Sequence, residues 1–330
     1  MSTNIINVLI PVYNNEATLA RCIESVIEQT FTHWELILFM DGCTDGSLAV
    51  AKKYGNEQIK IVESDENRGI AAARNKLAKM AKGDYVAWLD ADDFMLPERL
   101  QTQLDYLISN PNIGICGTAA ILRNNDVKEV HYLPTHEWIQ AFQFFKCGVL
   151  FPTIMTRNFY DNKNNLFDEN FGSRASDFEW LYRVGLQQKI SNLSSSLTSY
   201  YVSSSKELDK KREINNFDNK VANLLRVKIN DLLDADVNDE LIMKLHYFLL
   251  DTEKVSEEDS NLLAELLLKL KKANAVKNTH KVSCFNSIIL FHLFRIRKYG
   301  SLKQVSFYRL LKTFELKSFL YLFRIRSFHH

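Results

Sequence analysis

The sequence predicts an α/β protein with a mostly parallel β-sheet, followed by a helical C-terminal region. In residues 1–125, short apolar runs alternate with amphipathic stretches, which is the pattern of successive βα units around a parallel sheet. Polar or acidic residues directly follow the apolar runs, as expected at strand ends that face a ligand. Past residue 203 the sequence becomes polar, and its apolar residues take helical spacing.

The elements of the first half follow from this alternation. Strands are predicted at residues 5–12, 35–40, 59–63, 85–89 and 113–118. Helices are predicted at residues 17–29, 47–54, 69–81 and 97–109, the last opened by Pro97 in its first turn. This arrangement is the doubly wound half of an α/β sheet, whose ligands lie beyond the carboxyl ends of the strands.

The second half is less regular. Residues 142–201 predict short elements and one clear helix start, where Ser176-Asp177-Phe178-Glu179 has the form of a capping box. Further helices are predicted at residues 221–233, 239–250 and 257–271, after a charged linker at 206–212. We therefore expect a catalytic domain at residues 1–205 and a helical region at residues 206–330.

Composition excludes several classes of protein. The five cysteines are scattered and form no C-x-x-C pair, which argues against a disulfide framework or a zinc site. The N-terminus has no basic segment of a signal peptide, and no apolar run approaches the roughly 18 residues of a spanning helix. We expect a cytoplasmic protein that does not cross the membrane.

Three carboxylates follow the fourth predicted strand, in Asp90-Ala91-Asp92-Asp93. Their charges repel one another unless a cation or hydrogen-bond donors offset them. One or two carboxylates together with phosphate oxygens form the usual site for Mg²⁺ or Mn²⁺, so Asp90 and Asp92 are candidate metal ligands. The alternative is a solvated acidic turn in which one aspartate caps the next helix.

The other strand ends carry polar features of their own. Pro11 and Tyr13 stand at the end of the first strand, and Asp41 begins a glycine-containing loop after the second. The loop after the third strand brings Asn67, Arg74 and a helix N-terminus together, which suits an anionic ligand. Taken singly, Asp41 has the alternative of an Asx turn and Arg74 that of a surface ion pair.

Together these motifs resemble glycosyltransferase family 2. The match runs over about residues 5–205 and consists of P-V-Y-N, D-G-C-T-D-G-S, N-R-G-I-A-A-A-R-N and L-D-A-D-D, in that order. The resemblance implies a GT-A fold, a divalent metal ion, a nucleotide-diphosphate sugar donor and transfer with inversion at the anomeric carbon. Uridine is the commonest donor base of the family.

The resemblance also implies roles for single residues. Pro11 and Tyr13 correspond to the turn that contacts the nucleotide, Asp41 to the aspartate that binds the base, and Arg74 to the arginine near the nucleotide. Asp90 is expected near the ribose and Asp92 on the metal, with Asn67 a weaker candidate. One aspartate of the family's D-D-G-S motif is Met40 in this chain.

The general base is expected at Asp177. The family places it in an E-D pair that begins a helix, and Ser176-Asp177 is similar, with Ser176 in place of the first acid. The alternative is that Ser176 caps the helix and Asp177 only complements its dipole. Relatives also carry an aromatic-Arg-x-His stretch whose histidine binds the metal, whereas residues 200–205 contain no histidine, so water would replace that ligand.

The C-terminal tail is strongly basic. Residues 271–330 contain 13 Lys and Arg but only one acid, Glu315, and large apolar residues alternate with these cations from Cys284 to Phe328. Basic amphipathic helices of this kind bind anionic membrane surfaces. The alternative is that the apolar faces pack on the body or on a second subunit. No recognisable module supports nucleic-acid binding.

The leading functional hypothesis is an inverting glycosyltransferase that adds one sugar to a glycan or lipid-linked acceptor of lipopolysaccharide or capsule, at the inner face of the cell membrane. The alternative is a catalytically idle protein that binds a sugar nucleotide or serves as a scaffold. An oxidoreductase is poorly supported, because no G-x-G-x-x-G opens any predicted helix.

Overall fold

The computed structural model describes residues 4–123, 127–171, 175–201, 210–249 and 256–299. The chain forms two compact units, one of residues 1–136 and 149–208 and the other of residues 137–148 and 209–330. Within the described ranges, the first unit contains the sheet and the second is helical. In chain order, the elements of the sheet unit are β1 (Ile6–Val12), α1 (Glu16–Ile27), β2 (Trp34–Asp41), α2 (Ser47–Lys52), β3 (Ile59–Ser64), α3 (Ile70–Met80), β4 (Tyr85–Trp88), β5 (Phe94–Met95), α4 (Arg99–Ser109), β6 (Ile113–Arg123) and β7 (Val127–Val130).

The remaining elements follow in the same order. They are α5 (His136–Gln143), β8 (Met155–Arg157), α6 (Ser176–Gly185), β9 (Lys189–Tyr201), α7 (Lys210–Leu233), α8 (Asp239–Leu249), α9 (Glu257–Lys277) and α10 (Val282–Tyr299), with 3₁₀ turns at Phe151–Thr153 and Lys163–Asn165. Most of α5 belongs to the helical unit, together with α7, α8, α9 and α10.

The described strands form one mixed sheet in the order β3-β2-β1-β4-β8-β6-β9-β5, and β7 pairs with β6. Neighbours among β3, β2, β1 and β4 are parallel, whereas β8 is antiparallel to β4 and to β6. All residues of β1 are buried, as expected for a central strand covered on both faces. The predicted α/β class and its parallel first half are confirmed.

The core of the sheet unit lies between α1 and the parallel strands. Val8 and Ile10 of β1, Leu36 of β2, and Leu19 and Ile23 of α1 are all fully buried in it. Burial of each such side chain contributes about 1.5–3 kcal/mol to stability. This packing holds α1 against the strand ends that carry the candidate site residues.

Three sequence predictions for this unit were wrong. β9 runs for 13 residues, where only short elements were expected, because its run of Ser and Asn has low β-propensity but pairs with β6. Helix α4 begins at Arg99 with Glu98 as its N-cap, so Pro97 precedes the first turn. No capping box forms at α6: its N-cap is Ala175, and Ser176 is its first helical residue.

The helical unit has its own core, which includes Leu225, Leu245, Leu267 and Phe285. Helix α7 already begins at Lys210, so the end of the predicted charged linker is helical, while residues 202–209 lie outside the described part. Within the described ranges, no helix combines the length and apolar character needed to cross a membrane.

The first part of the basic tail is a buried helix of this unit. In α10, Ile288, Ile289 and Leu293 are fully buried. Arg295 is only 9% exposed, and it donates a hydrogen bond to the carbonyl of Phe248 at 2.8 Å. The sequence left two alternatives for the segment that forms α10, contact with a membrane surface or packing on protein. The contacts observed in α10 are with protein. Residues 300–330 of the tail lie outside the described residues.

Candidate active site

The carboxyl ends of β2, β1 and β4 lie side by side, because the three strands are adjacent and parallel. The loops that leave these ends contain most of the residues selected from the sequence. Pro11 itself lies inside β1, buried and opposite Phe39, rather than in the loop. Tyr13 follows the strand and is 48% exposed at this edge of the sheet.

Hydrogen bonds join the loop after β1 to the loop after β2. Asn14 adopts a positive φ of 53°, and its Oδ1 accepts from the amide of Thr44 at 2.8 Å. The amide of Asn15 donates to Oγ of Ser47 at 2.8 Å, and Glu16 and Gly46 are linked by a bond of 2.9 Å. The two loops therefore form one connected wall beside Tyr13.

Asp41 joins the loop after β2 to the loop after β3. Its two carboxylate oxygens accept from the amides of Arg68 and Gly69, at 3.1 and 3.0 Å, and the residue is 3% exposed. Oδ1 of the exposed Asn67 accepts from the same Gly69 amide at 3.0 Å. The start of α3 is thus held beside the end of β2, which places Asp41 and Asn67 together.

The acidic turn after β4 is tight, and its three carboxylates differ. The amide of Asp93 donates to the carbonyl of Asp90 at 3.0 Å and closes the turn. Asp93 is fully buried and accepts from the amide of Tyr201 at 2.8 Å, which fastens the turn to the end of β9. Asp90 and Asp92 are half-buried. Of the three carboxylates in this turn, Asp90 and Asp92 are therefore the more exposed.

Arg74 and Asp90 form an ion pair, with 3.3 Å between Nη2 and Oδ1. The Arg74 side chain is 6% exposed, and its guanidinium carbon lies 3.9 Å from the centre of the Phe151 ring. A cation held over an aromatic face and desolvated in this way is stabilised by the ring quadrupole. The sequence left open that Arg74 forms only a surface ion pair. The pair observed is not at the surface, because the arginine is buried.

Asp177 lies in the first turn of α6 and is half-buried. Burial raises the pKa of its carboxyl and nearby Asp90 raises it further, whereas Arg74 and the amide of Phe178 oppose this shift. Arg74, Asp90 and Asp177 are therefore close enough to influence one another and form one charged cluster. A partly buried carboxylate with a raised pKa is typical of a general base.

Aromatic packing sets the position of α6 relative to β4. The Phe167 ring stacks on Trp180 of α6 with centroids 5.0 Å apart and lies edge-on to Trp88 of β4 at 5.8 Å. Trp88 is two residues before Asp90, and Trp180 is three residues after Asp177. The two carboxylates thus project from elements that share one rigid aromatic core.

The structure adds site residues that the sequence analysis missed. Tyr200 is near the end of β9, and burial and then the charges of Asp90, Asp93, Asp92 and Asp177 raise the pKa of its hydroxyl. Phe151 and Phe167 line Arg74. No sequence signal marks these rings, because each contacts the site from a distant part of the chain.

The donor set fits a hard divalent cation only in part. Within the described ranges, no three His, Cys, Asp or Glu side chains gather as a metal-binding group. Asp92 and Asp90 offer carboxylate oxygens, which suit Mg²⁺ or Mn²⁺ when phosphate oxygens and water complete the shell. These residues therefore fit a metal that is bound together with a diphosphate.

Comparison with known proteins identifies this arrangement. Residues 7–182 match the family model described as Glycosyl transferase family 2. The chain belongs to this family. The match includes β1 from its second residue, the acidic turn and the first turns of α6. The candidate residues other than Tyr200 of β9 therefore lie inside the matched segment.

Curated relatives of this family 2 glycosyltransferase share part of its length. It is 38% identical over 120 residues to EpsE of Bacillus subtilis (strain 168), which is named as a glycosyltransferase. The aligned residues are 36% of this chain and 43% of EpsE. It is 30% identical over 127 residues to the Escherichia coli UDP-Glc:alpha-D-GlcNAc-diphosphoundecaprenol beta-1,3-glucosyltransferase WfgD. The aligned residues are 38% of this chain and 50% of WfgD. The matched stretch thus spans half or less of either relative.

Solved structures support the GT-A fold. The Staphylococcus aureus TarS fragment 1–349 in complex with UDP-GlcNAc superposes with a TM-score of 0.58 at 20% sequence identity, covering 89% of this chain and 87% of that one. At this identity the likeness establishes the fold alone. The predicted GT-A fold of this family 2 glycosyltransferase is confirmed.

Proposed function

We propose that this glycosyltransferase transfers a single sugar, with inversion, from a UDP-linked donor to a glycan or lipid-linked acceptor in the synthesis of a surface polysaccharide. The observation that carries the proposal is the cluster of Arg74, Asp90 and Asp177 at the carboxyl edge of the sheet. It puts a buried cation, an acidic turn and a base with a raised pKa around one point, which is what inverting transfer from a diphosphate requires.

The donor binds along the strand ends in this proposal. Tyr13 and the loop of Asp41 and Asn67 contact the nucleoside, and Asp90 lies near the ribose. Each oxygen of Asp41 accepts one backbone amide, and each keeps a further lone pair for a donor group of the base or ribose. WfgD is named for its UDP-Glc donor, and a TarS structure holds UDP-GlcNAc, which supports uridine as the base.

The acceptor is deprotonated by Asp177. As an acceptor hydroxyl attacks the anomeric carbon, its proton passes to a carboxylate oxygen of Asp177, and a new carbon–oxygen bond forms. The bond between the anomeric carbon and the diphosphate breaks on the opposite face, and the diphosphate leaves with the electron pair. One displacement of this kind inverts the configuration at the anomeric carbon.

Charge on the leaving diphosphate is offset by nearby groups. A bound Mg²⁺ or Mn²⁺, held by Asp92 with Asp90 beside it, would supply positive charge to the phosphate oxygens. Arg74 adds a guanidinium whose position is fixed by Phe151 and Asp90. Tyr200 lies among the same carboxylates and keeps its hydroxyl proton, so it can donate a hydrogen bond to a ligand oxygen.

The proposed acceptor and location rest on a relative's acceptor and on the charge of the C-terminal tail. WfgD is named for transfer to a diphosphoundecaprenol-linked sugar, which supports a lipid-linked acceptor at the inner face of the cell membrane. Residues 300–330 add six Lys and Arg against one acid, which suits an anionic surface. Sedimentation with phosphatidylglycerol vesicles tests this: binding lost in Arg324→Gln/Arg326→Gln protein supports it, and binding unchanged by these substitutions contradicts it.

Donor screening tests the proposed reaction. UDP-, GDP- and dTDP-sugars are screened for thermal stabilisation with Mn²⁺, because a ligand that binds the folded protein stabilises it in proportion to the logarithm of its concentration over its dissociation constant. The best donor is then incubated with diphosphoprenyl-linked monosaccharides, and the release of nucleotide and the anomeric configuration of the product are measured. We expect a UDP-sugar to stabilise the protein and the product to be inverted.

Variants separate binding from transfer. Asp92→Ala should lose the Mn²⁺-dependent stabilisation, whereas Asp177→Asn should keep it and lose about 10²- to 10⁴-fold in turnover. Asp105→Asn removes an exposed carboxylate of α4 and is the matched control. Wild-type transfer rates in both site variants would overturn the proposal. Metal-dependent donor binding without transfer or donor hydrolysis would favour the idle sugar-nucleotide-binding alternative.

A further inference from the structure

Three side chains of α1 hold three successive carbonyls of the acidic turn. Oγ1 of Thr18 donates to the carbonyl of Ala91 at 3.0 Å, and Sγ of Cys22 donates to that of Asp90 at 3.5 Å. Nη2 of Arg21 donates to the carbonyl of Asp92 at 3.4 Å. Every backbone carbonyl of the D-x-D motif is thus bonded to one helix.

The three donors lie on one face of α1. Thr18, Arg21 and Cys22 have spacings of three and four residues, which places their side chains next to one another on a helix. Cys22 is fully buried, and Thr18 is half-buried. Because these hydrogen bonds hold the backbone carbonyls of the turn, they hold the Cα atoms of Asp90 and Asp92 and the directions in which the two side chains leave the backbone.

The N-terminus of α1 is attached to the opposite side of the site. The amide of Glu16 donates to Asp45 at 3.0 Å, and the Glu16 carboxylate accepts from the amide of Gly46 at 2.9 Å. Six residues separate Glu16 from Cys22, or about 9 Å along a helix. Helix α1 therefore fixes the distance between the loop after β2 and the acidic turn.

We propose that Thr18 and Cys22, assisted by Arg21, are positioning residues that orient the D-x-D carboxylates for binding of a metal–diphosphate. The proposal rests on the proposed function, since it assigns these residues to the metal-binding side of the donor site. None of them touches the reacting atoms. Their effect is on how well the acidic turn is arranged before the donor arrives.

The decisive experiment removes each hydrogen-bond donor: Thr18→Val keeps the volume of the side chain, and Cys22→Ala removes only the sulfur atom. Thr18→Val and Cys22→Ala delete one donor each, and the serine variants Thr18→Ser and Cys22→Ser keep a donor. The dissociation constant of UDP in the presence of Mn²⁺ is measured by calorimetry, and the unfolding temperature is measured without ligand. Calorimetry reports on binding whether or not an acceptor is known.

Thr30→Val is the matched control. Oγ1 of Thr30 also donates to a backbone carbonyl just beyond the acidic turn, that of Pro97, at 3.2 Å. The substitution and the type of bond are the same as for Thr18, but the carbonyl belongs to no candidate ligand. The Thr30→Val protein therefore shows how much the loss of such a hydrogen bond weakens UDP binding merely by lowering the stability of the protein.

We expect each deletion to weaken binding of UDP with Mn²⁺ about 5-fold, and the double variant about 20-fold or more. The serine variants should bind as the wild type does, and Thr30→Val should leave the constant unchanged. If the deletion variants unfold at a lower temperature but bind UDP and Mn²⁺ like the wild type, α1 is merely structural and the proposal is overturned. If the wild type binds no nucleotide with Mn²⁺, the proposed function fails and this proposal fails with it.

Discussion

The guanidinium carbon of Arg74 lies 3.9 Å from the centre of the Phe151 ring, while its Nη2 reaches Asp90 at 3.3 Å. The ring holds the guanidinium plane, and the carboxylate fixes its rotation. A lysine could keep the charge, but it has no plane to stack and no fork to share between two acceptors. The position of this cation relative to Asp177 thus depends on its being arginine.

Arg74→Lys should therefore lower kcat/KM about 100-fold, the usual cost of losing one preorganised charge-stabilising group. The donor should still bind, because Asp41 and Asp92 are unchanged. Steady-state kinetics with the identified UDP-sugar measure this effect. Arg157→Lys is the matched control, since Arg157 also lies over a ring, that of Tyr85, and bonds to the carbonyl of Ile113, away from the carboxylates. Equal losses in the two variants would contradict a special role for Arg74.

Asp177→Asn should stabilise the protein at neutral pH. The folded-state pKa of Asp177 is raised, first by burial and then by Asp90, against the opposing charge of Arg74. As pH rises, the unfolded chain loses this proton before the folded chain does, so the ionised carboxylate makes the folded state less stable. Asparagine removes that cost and keeps an oxygen for the Phe178 amide.

Thermal unfolding of the Asp177→Asn protein checks this. We expect a higher unfolding temperature than the wild type at pH 7, with the gain disappearing below the unfolded pKa of 3.8. Asp105→Asn, which removes an exposed carboxylate, should show no such gain. A lower unfolding temperature for Asp177→Asn at pH 7 would mean that Arg74 outweighs burial at this position.

The parallel half of the fold could be predicted because its strands are apolar on both faces. β1 is buried throughout, and apart from Asn7 all of its residues are apolar. β9 could not be predicted in this way, since Ser194 and Ser195 are exposed in its middle and its pairing with β6 is fixed by tertiary contacts.

Some residues of the candidate site could be predicted from the sequence, and others could not. Asp90 and Asp92 could be selected from the sequence because they follow the end of β4, and Arg74 because it lies in the helix that follows β3. Parallel strands bring such ends together. Phe151 and Thr18 could not be selected in this way. Phe151 reaches Arg74 across 77 positions of chain, and Thr18 reaches Ala91 across 73. Neither residue type has a chemistry that marks it before the fold is known.

Gly42→Ala should weaken donor binding and stability together. Gly42 has a φ of +65°, and a Cβ there would lie 2.3 Å from the backbone nitrogen of Asn67. The strained φ costs about 1 kcal/mol, and the clash raises the total to about 2 kcal/mol or more, because a backbone atom must move. The loop that must move is the one held by Asp41.

Calorimetry with UDP and chemical unfolding measure the two effects in the Gly42→Ala protein. Gly55→Ala is the matched control, because its Cβ would meet only the end of the Ile61 side chain, at 3.1 Å, and the carbonyl of Lys52, at 3.9 Å. We expect donor binding to weaken in the first variant alone. Unchanged UDP affinity in Gly42→Ala would show that the loop of Asn67 takes no part in donor binding.

His280 should make the helical unit sensitive to acid. Burial, and then the charge of Lys228, lower its pKa to about 4 from 6.5. Its ring stacks on Phe285 with centroids 5.2 Å apart, and Phe144 lies edge-on at 5.5 Å. The backbone around it is held by Asn274, which exchanges two hydrogen bonds with His280.

Because the folded pKa is depressed, the unfolded chain takes up a proton on His280 as pH falls through 6.5, whereas the folded protein resists until about pH 4. Stability attributable to His280 is therefore intact above pH 6.5 and falls by roughly 3 kcal/mol towards pH 4.

His280→Phe keeps the stacked ring and cannot titrate, so the unfolding free energy of this variant should change less with pH by that amount. His33→Phe, at an exposed histidine, is the control that should retain the wild-type slope. Chemical unfolding between pH 4 and 8 measures the difference, and parallel curves for the wild type and His280→Phe would show that His280 is not held neutral by its surroundings.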